Sequence, residues 1–208
     1  MAGIGVRLNR IFEKNTLTTN LVGFFYSTVV TGAPMFVIII NLILMEYLLD
    51  FASVGYVTRE LFSCTILYTF IFSLLTASPF NAVLSRYMSD VIYEERYQDI
   101  LPCYHIGMLL NIGLSCLLGI PFCLWEHFVG KVPTAYVFCG FCGYISLVLV
   151  FYSMIYLSIC KDYQRISQYF FFGMLVAFVL ALILHFILKW ETTWSMLFSL
   201  TIGFFVTA

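Results

Sequence analysis

The chain has 208 residues, of which 62% are hydrophobic and only 10% are charged, whereas an ordinary soluble domain carries about 25% charged residues. Its 10 basic and 11 acidic residues are too few for a soluble enzyme, a disordered regulator or a nucleic-acid-binding protein of this length. The formal net charge of −1 argues separately against a polyanionic partner such as nucleic acid. The composition therefore indicates a protein whose main solvent is lipid.

Long intervals without a charged residue divide the chain into candidate membrane-spanning segments. Five intervals hold 31, 25, 26, 29 and 23 residues, and a sixth interval of 17 residues follows Glu191. A helix needs roughly 20 apolar residues to cross a bilayer, and continuously apolar runs favour helices over alternating strands. The sequence therefore predicts an all-α, polytopic membrane protein built as a six-transmembrane-helix bundle. The predicted helices cover about 21–45, 61–84, 103–125, 135–160, 166–188 and 194–208.

The two ends of the chain differ from its centre. Residues 1–19 place apolar side chains at helical spacing among three basic residues, which predicts a cytoplasmic, interfacial amphipathic segment before the bundle at 20–208. The last apolar run, from Trp194 to Ala208, stops without a polar flank. We therefore expect the sixth helix to be truncated and the chain to be a fragment of a longer protein.

The distribution of Lys and Arg predicts the orientation. With the N-terminus in the cytoplasm, seven of the ten basic residues fall in inner segments and three in outer segments. The first apolar run is too long for a secretory signal and has no small-residue cleavage site after it. The sequence therefore predicts a multi-pass protein with a cytoplasmic N-terminus.

Candidate catalytic and metal-binding residues form no recognisable constellation. The seven cysteines include one C-x-x-C pair, Cys139 and Cys142, but this pair lies in an apolar run and has no second pair. The cysteines are therefore interpreted as packing residues. Motifs for nucleophilic catalysis, zinc hydrolysis, phosphate binding and dinucleotide binding do not occur. The sequence thus predicts no catalytic residue, metal or cofactor, and indicates that the chain is not an enzyme.

Polar residues within the apolar runs are the first candidates for a substrate path. Asn41 and Asn111 need a protein or water partner at membrane depth, and His185 lies near the outer end of the predicted fifth helix. Such residues either line a polar cavity or only hold helices together by hydrogen bonds. Gly32 and Pro34 interrupt the first helix and are candidates for a kink beside a cavity.

The densest group of polar residues lies at the inner end of the second helix. Pro79 is expected to break or bend the helix, and Asn81 follows it as another path candidate. Arg86 and Asp90 are four residues apart, so a continuing helix would place them on one face, where they could pair. The alternative is a solvated loop whose charges only fix the topology.

Three stretches resemble the PelG family, inner-membrane proteins proposed to export the Pel exopolysaccharide. They are the opening Met-Ala-Gly-Ile-Gly-Val-Arg-Leu, the stretch Thr31-Gly-Ala-Pro34, and Ser85-Arg-Tyr-Met-Ser-Asp90-Val-Ile-Tyr93. The resemblance implies the multidrug/oligosaccharidyl-lipid/polysaccharide flippase superfamily, whose members carry two helix bundles. It implies that this chain is the N-terminal bundle, and it adds a gating or substrate-facing role for Arg86 and Asp90.

The same resemblance implies a mechanism, a location and partners. The two bundles would rock around a central cavity in the bacterial cytoplasmic (inner) membrane and export the polymer by alternating access, for the biofilm matrix. Candidates for aromatic faces that stack on sugar rings are Tyr26, Tyr68, Tyr144, Tyr152 and Tyr156. The implied partners are the polysaccharide, membrane lipids, a cytoplasmic glycosyltransferase and membrane scaffold proteins of the Pel machinery, one of them a cyclic-di-GMP receptor.

Two alternatives remain open. In one, the same type of transporter carries a lipid-linked oligosaccharide or an amphipathic drug. In the other, the chain is a non-transporting membrane scaffold of a polysaccharide synthase complex. An acidic residue deep in the membrane would favour ion-coupled drug export, and the sequence gives no convincing candidate for one.

Overall fold

The computed structural model describes residues 35–159 and 163–208, except for the side chains of residues 97, 158, 159, 163 and 164. Of these residues, 90% are helical, and no strand occurs among them. Their α-helices are α1 Met35–Leu48, α2 Tyr56–Tyr93, α3 Ile100–Phe128, α4 Thr134–Ile159, α5 Tyr163–Leu182 and α6 Thr192–Thr207. The 3₁₀ turns Phe51–Ser53 and Tyr97–Asp99 precede α2 and α3, and the π-helix Ile183–Ile187 continues α5.

Four helices of the described residues are long and apolar enough to cross a membrane. They include α2 and α3 over their full lengths, Thr134–Leu157 of α4, and Arg165–Ile187 of α5 with the π-helix. The helices α1 and α6 are apolar but shorter over the described residues. The described residues thus have an all-α fold with four candidate membrane-spanning helices, while six membrane crossings remain a prediction.

Several predictions fall on the first 34 residues and lie outside the described part of the chain. They concern the interfacial segment at 1–19, the start of the first helix, and the kink candidates Gly32 and Pro34. The remaining helix ends lie within three residues of their predicted positions, apart from both ends of α2 and the end of α5. The helix α5 ends at Leu182, and the π-helix continues it to Ile187, one residue before the predicted end.

The helix α2 continues through Pro79, where the sequence predicted a break or bend. It runs without interruption from Tyr56 to Tyr93. Pro79 has no N–H to bond the Leu75 carbonyl one turn earlier, and the Ser78 hydroxyl donates to that carbonyl instead, at 3.2 Å. A break at Pro79 is therefore wrong, whereas a bend there stays a prediction.

The helix α2 is also longer than a bilayer is thick. Its 38 residues extend over about 57 Å, whereas the hydrocarbon core of a bilayer measures about 30 Å. The predicted helix ended at Leu84, but the helix continues to Tyr93. Arg86 and Asp90 therefore lie on a helical extension of α2 and not on a solvated loop.

The helix α4 lies at the centre of the bundle. Half of the residues in its most apolar 18-residue stretch are buried inside the protein, a larger share than in the corresponding stretches of α2, α3 or α5. Tyr144 shares a hydrogen bond with Thr76 of α2 at 2.7 Å, and the Tyr152 hydroxyl donates to the Tyr104 carbonyl of α3 at 2.9 Å. Side chains of α4 therefore fix the positions of both preceding helices.

The helices α5 and α6 pack closely through small residues. Gly173 and Ala177 of α5 face Gly203 of α6, and all three are buried. A Cβ atom added at Gly203 would lie 2.6 Å from the Ala177 Cβ and 2.8 Å from the Gly173 carbonyl oxygen. Small residues let the two backbones approach, as is common between membrane helices.

A side-chain amide attaches α1 to this pair of helices. The Asn41 amide nitrogen donates to the Met174 carbonyl of α5 at 2.8 Å. Ile38 and Met45 of α1 and Leu49 just after its end are buried in one apolar cluster with Met174. The Thr192 hydroxyl of α6 also donates to the Leu49 carbonyl, at 3.3 Å. The position of α1 thus depends on an apolar cluster and on polar contacts to α5 and α6.

We expect Gly203→Leu to lower the free energy of unfolding by about 1–3 kcal/mol, because the added side chain overpacks the contact between α5 and α6. The measurement is the Tm of the purified protein in detergent, followed by tryptophan fluorescence. Gly113→Leu on α3 is the matched control, since no atom lies within 4 Å of a Cβ added there. Equal losses of Tm in the two variants would show that this close packing is not what stabilises the pair.

Candidate functional site

Four of the six predicted path residues carry a buried polar atom that has no partner among the described residues. These atoms are Asn41 Oδ1, Asn81 Oδ1, Asn111 Oδ1 and His185 Nδ1. Buried polar atoms in folded proteins are nearly always hydrogen-bonded, and leaving one unpaired costs about 1–3 kcal/mol. Each of these atoms therefore lacks a hydrogen bond that a buried polar atom normally makes.

Asn81 and Asn111 flank an open cavity between α2 and α3. The cavity measures about 440 Å³, and its wall includes Phe80 and Leu110, the residues directly before the two asparagines. Asn111 is fully buried, and its amide nitrogen donates to the Gly107 carbonyl at 3.0 Å. Asn81 is partly buried and forms no hydrogen bond with a described residue. Two buried, unpartnered amide oxygens thus lie on residues adjacent in sequence to the cavity wall, and neither asparagine is part of that wall.

Tyrosine side chains form one side of the same cavity. Tyr152 of α4 lies in its wall and stacks on Tyr104 of α3, with 5.3 Å between the ring centroids. The Tyr104 hydroxyl shares a hydrogen bond with Ser153 at 2.9 Å. Tyr104 is not itself part of the wall, and its contacts with α4 hold the buried Tyr152 ring in place.

Arg86 and Asp90 lie one turn apart on the extension of α2, and both are exposed. No ion pair joins them. Arg96, a few residues further along, does form ion pairs, and its Nε lies 2.7 Å from the Glu94 carboxylate and its Nη1 3.2 Å from the Asp99 carboxylate. The predicted pair of Arg86 with Asp90 is therefore not formed in this structure.

His185 lies within the π-helix Ile183–Ile187. The N–H of Leu188 donates to the Ile183 carbonyl, five residues back, at 3.3 Å. The sequence predicted an ordinary α-helix up to residue 188. A π-turn in a membrane helix changes the direction of the side chains that follow it, and such turns are frequent at functional sites.

A second opening lies between α2, α3 and α4, and we call it the aromatic groove. Its volume is about 220 Å³. The rings of Phe72 and Phe122 approach to 5.3 Å between centroids across it. Gly119 permits close packing at its base, since a Cβ there would lie 2.6 Å from the Phe141 ring. The aromatic residues in its wall are Tyr68, Phe72, Phe122, Tyr136, Phe141 and Tyr144.

One carboxylate, that of Glu126, lines the aromatic groove. Glu126 is partly buried and has no ion pair or hydrogen bond with any side chain that the structure describes. The sequence predicted Tyr68 and Tyr144 as aromatic wall residues but did not single out Glu126. The predicted third helix ended at Trp125, and α3 continues to Phe128, so the carboxylate lies on the helix instead of in the following loop.

The comparison with known protein families identifies the family of this chain. The model of the PelG family, described as "Putative exopolysaccharide Exporter (EPS-E)", matches residues 1–208. No curated protein matches the chain. No solved structure matches it either. The match extends over the whole chain and agrees with the membrane-spanning helices, and the chain therefore belongs to the PelG family of exopolysaccharide exporters.

Proposed function

We propose that the chain exports an exopolysaccharide across the bacterial cytoplasmic membrane by alternating access, as the N-terminal bundle of a two-bundle transporter. The observation that carries this proposal is the family match over all 208 residues. The four candidate membrane-spanning helices support it. A polymer of sugars is too polar to cross hydrocarbon unaided, so its path has to be lined by protein.

The proposed path passes the cavity between α2 and α3. Sugar hydroxyls both donate and accept hydrogen bonds, and an asparagine carbonyl oxygen accepts them. The unpartnered oxygens of Asn81 and Asn111 support a path for a hydroxyl-rich cargo, because such a cargo removes the cost of leaving them unpaired. Tyr87 lines the same cavity and is 41% exposed, so its ring offers an aromatic surface for the C–H face of a sugar.

The proposed orientation places the N-terminus and the extension of α2 in the cytoplasm. Most basic residues then lie on the cytoplasmic side. In this orientation Arg86 and Asp90 face the compartment in which a glycosyltransferase makes the polymer. The glycosyltransferase and the membrane scaffold proteins are proposed partners, and the polymer is proposed to serve the biofilm matrix.

The first test is secreted polysaccharide from a strain that lacks the gene, complemented with the full reading frame. We expect deletion to abolish the extracellular polymer and complementation to restore it, measured as amino-sugar content of the culture supernatant. An inactive reading frame with an early stop codon is the control. If deletion leaves the polymer unchanged, export of this cargo is excluded, and a flippase for lipid-linked oligosaccharide or drugs becomes the leading explanation.

Asn81→Ala is expected to reduce secreted polymer about fivefold, the effect of losing one hydrogen bond of about 1 kcal/mol to the cargo. Protein level and Tm are expected to stay constant, because Asn81 has no hydrogen bond in the fold to lose. Ser89→Ala is the matched control, since the Ser89 hydroxyl is exposed and donates to its own helix. Full export by both Asn81→Ala and Asn111→Ala would favour the scaffold alternative.

Arg86→Ala and Asp90→Ala are each expected to lower secreted polymer at normal protein level, because each charge is exposed on α2 and neither is neutralised by the other. Glu95→Ala serves as the control, since Glu95 is an exposed charge just beyond the end of the same helix. Quantitative blots of the membrane fraction normalise the polymer yield. Full export by both variants would remove Arg86 and Asp90 from the path.

A further inference from the structure

The aromatic groove differs chemically from the cavity beside the asparagines. Two hydroxyl groups of its lining already have partners inside the protein: the Thr65 hydroxyl donates to the Leu61 carbonyl at 2.7 Å, and the Tyr144 hydroxyl is bonded to Thr76 at 2.7 Å. The Tyr136 hydroxyl is buried and has no partner among the described residues. Most of the remaining lining is aromatic and aliphatic carbon, which favours an apolar ligand over a sugar with its many hydroxyls.

The shape of the groove suits an extended apolar chain. On α3 its lining runs from Leu118 to Glu126, which is about 12 Å of helix. The rings of Phe72 and Phe122 form a continuous apolar wall with Tyr68. Each buried CH₂ group of a ligand gains free energy on such a wall. The groove thus favours a hydrocarbon chain over a compact polar group.

The carboxylate lies at the end of the groove where α3 ends. Glu126 precedes the helix end at Phe128 by two residues. Trp125 and Phe128 beside it are 66% and 74% exposed, and exposed aromatic residues at the end of a membrane helix typically mark the headgroup layer. Lys131 follows in the exposed connection to α4. The end of the groove therefore presents a negative charge, and a positive charge close to it in sequence, at the depth of lipid headgroups.

From these features we propose that the aromatic groove binds a phospholipid with a primary ammonium headgroup. One acyl chain lies along the rings between α2 and α3, and the ammonium group donates hydrogen bonds to the Glu126 carboxylate. An ammonium is the complement that this partly buried, otherwise unpartnered carboxylate lacks. The headgroup of phosphatidylglycerol is anionic and carries no cationic donor. It therefore cannot form a charge-assisted hydrogen bond with the Glu126 carboxylate. This inference does not rest on the proposed export function.

The test uses the full chain in nanodiscs made of dioleoyl phosphatidylglycerol with a rising fraction of dioleoyl phosphatidylethanolamine. Native mass spectrometry counts the lipids that stay bound after release from the disc. We expect phosphatidylethanolamine to be retained in preference, and Glu126→Gln to reduce this preference about tenfold. Glu60→Gln is the matched control, because Glu60 is an exposed carboxylate outside the groove. Equal retention of the two lipids by the unmodified chain would overturn the proposal.

Two further arms test the site of binding and the class of ligand. Cys123 lines the groove, so Cys123→Trp is expected to fill it and to reduce retention of phosphatidylethanolamine severalfold. Leu117→Trp, at a position that is 68% exposed on α3, is expected to leave retention unchanged. Free glucosamine is then added as a competitor. Displacement of the lipid by glucosamine from the unmodified chain, and unchanged retention in Cys123→Trp, are each results that would reject a lipid site in this groove.

Discussion

Hydrocarbon offers no partner to a peptide group, so every membrane-spanning segment has to bond its backbone within the protein. This constraint explains why hydroxyl side chains of the bundle, such as those of Thr65 and Ser78, donate to carbonyls of their own helices. It also makes exceptions informative. A polar atom such as Asn81 Oδ1 or the Glu126 carboxylate, which has no partner among the described residues, adds no hydrogen bond that stabilises the fold.

The central helix α4 connects the fold to both openings. Its Tyr144 belongs to the wall of the aromatic groove, and its Tyr152 belongs to the wall of the cavity beside the asparagines. The two hydroxyls also bond to α2 and to α3, respectively. The side chains that position the neighbouring helices are thus the ones that shape the two surfaces, and a change in helix packing alters both openings together.

The sequence predicted the features that hydropathy and charge determine. It missed the features that depend on contacts between neighbouring side chains. Long apolar runs were sufficient to predict the helices, and the cost of a buried amide was sufficient to single out Asn111. A break at Pro79 was wrong because α2 runs on through it, and the bond of the adjacent Ser78 to the Leu75 carbonyl is an interaction that proline statistics do not include. Glu126 was missed because three additional residues of helix turn a loop carboxylate into part of a groove. Which aromatic rings contact each other depends on tertiary packing.

The helix α2 is unbroken and extends unequally to either side of its contact with α4. This contact is the hydrogen bond between Thr76 and Tyr144. From Thr76 the helix extends about 12 Å to Tyr68 in the groove and about 26 Å to Tyr93. A tilt of α2 as one body about this contact would therefore displace its far end about twice as much as Tyr68. Tyr68 in the groove and the charged extension thus belong to one continuous helix.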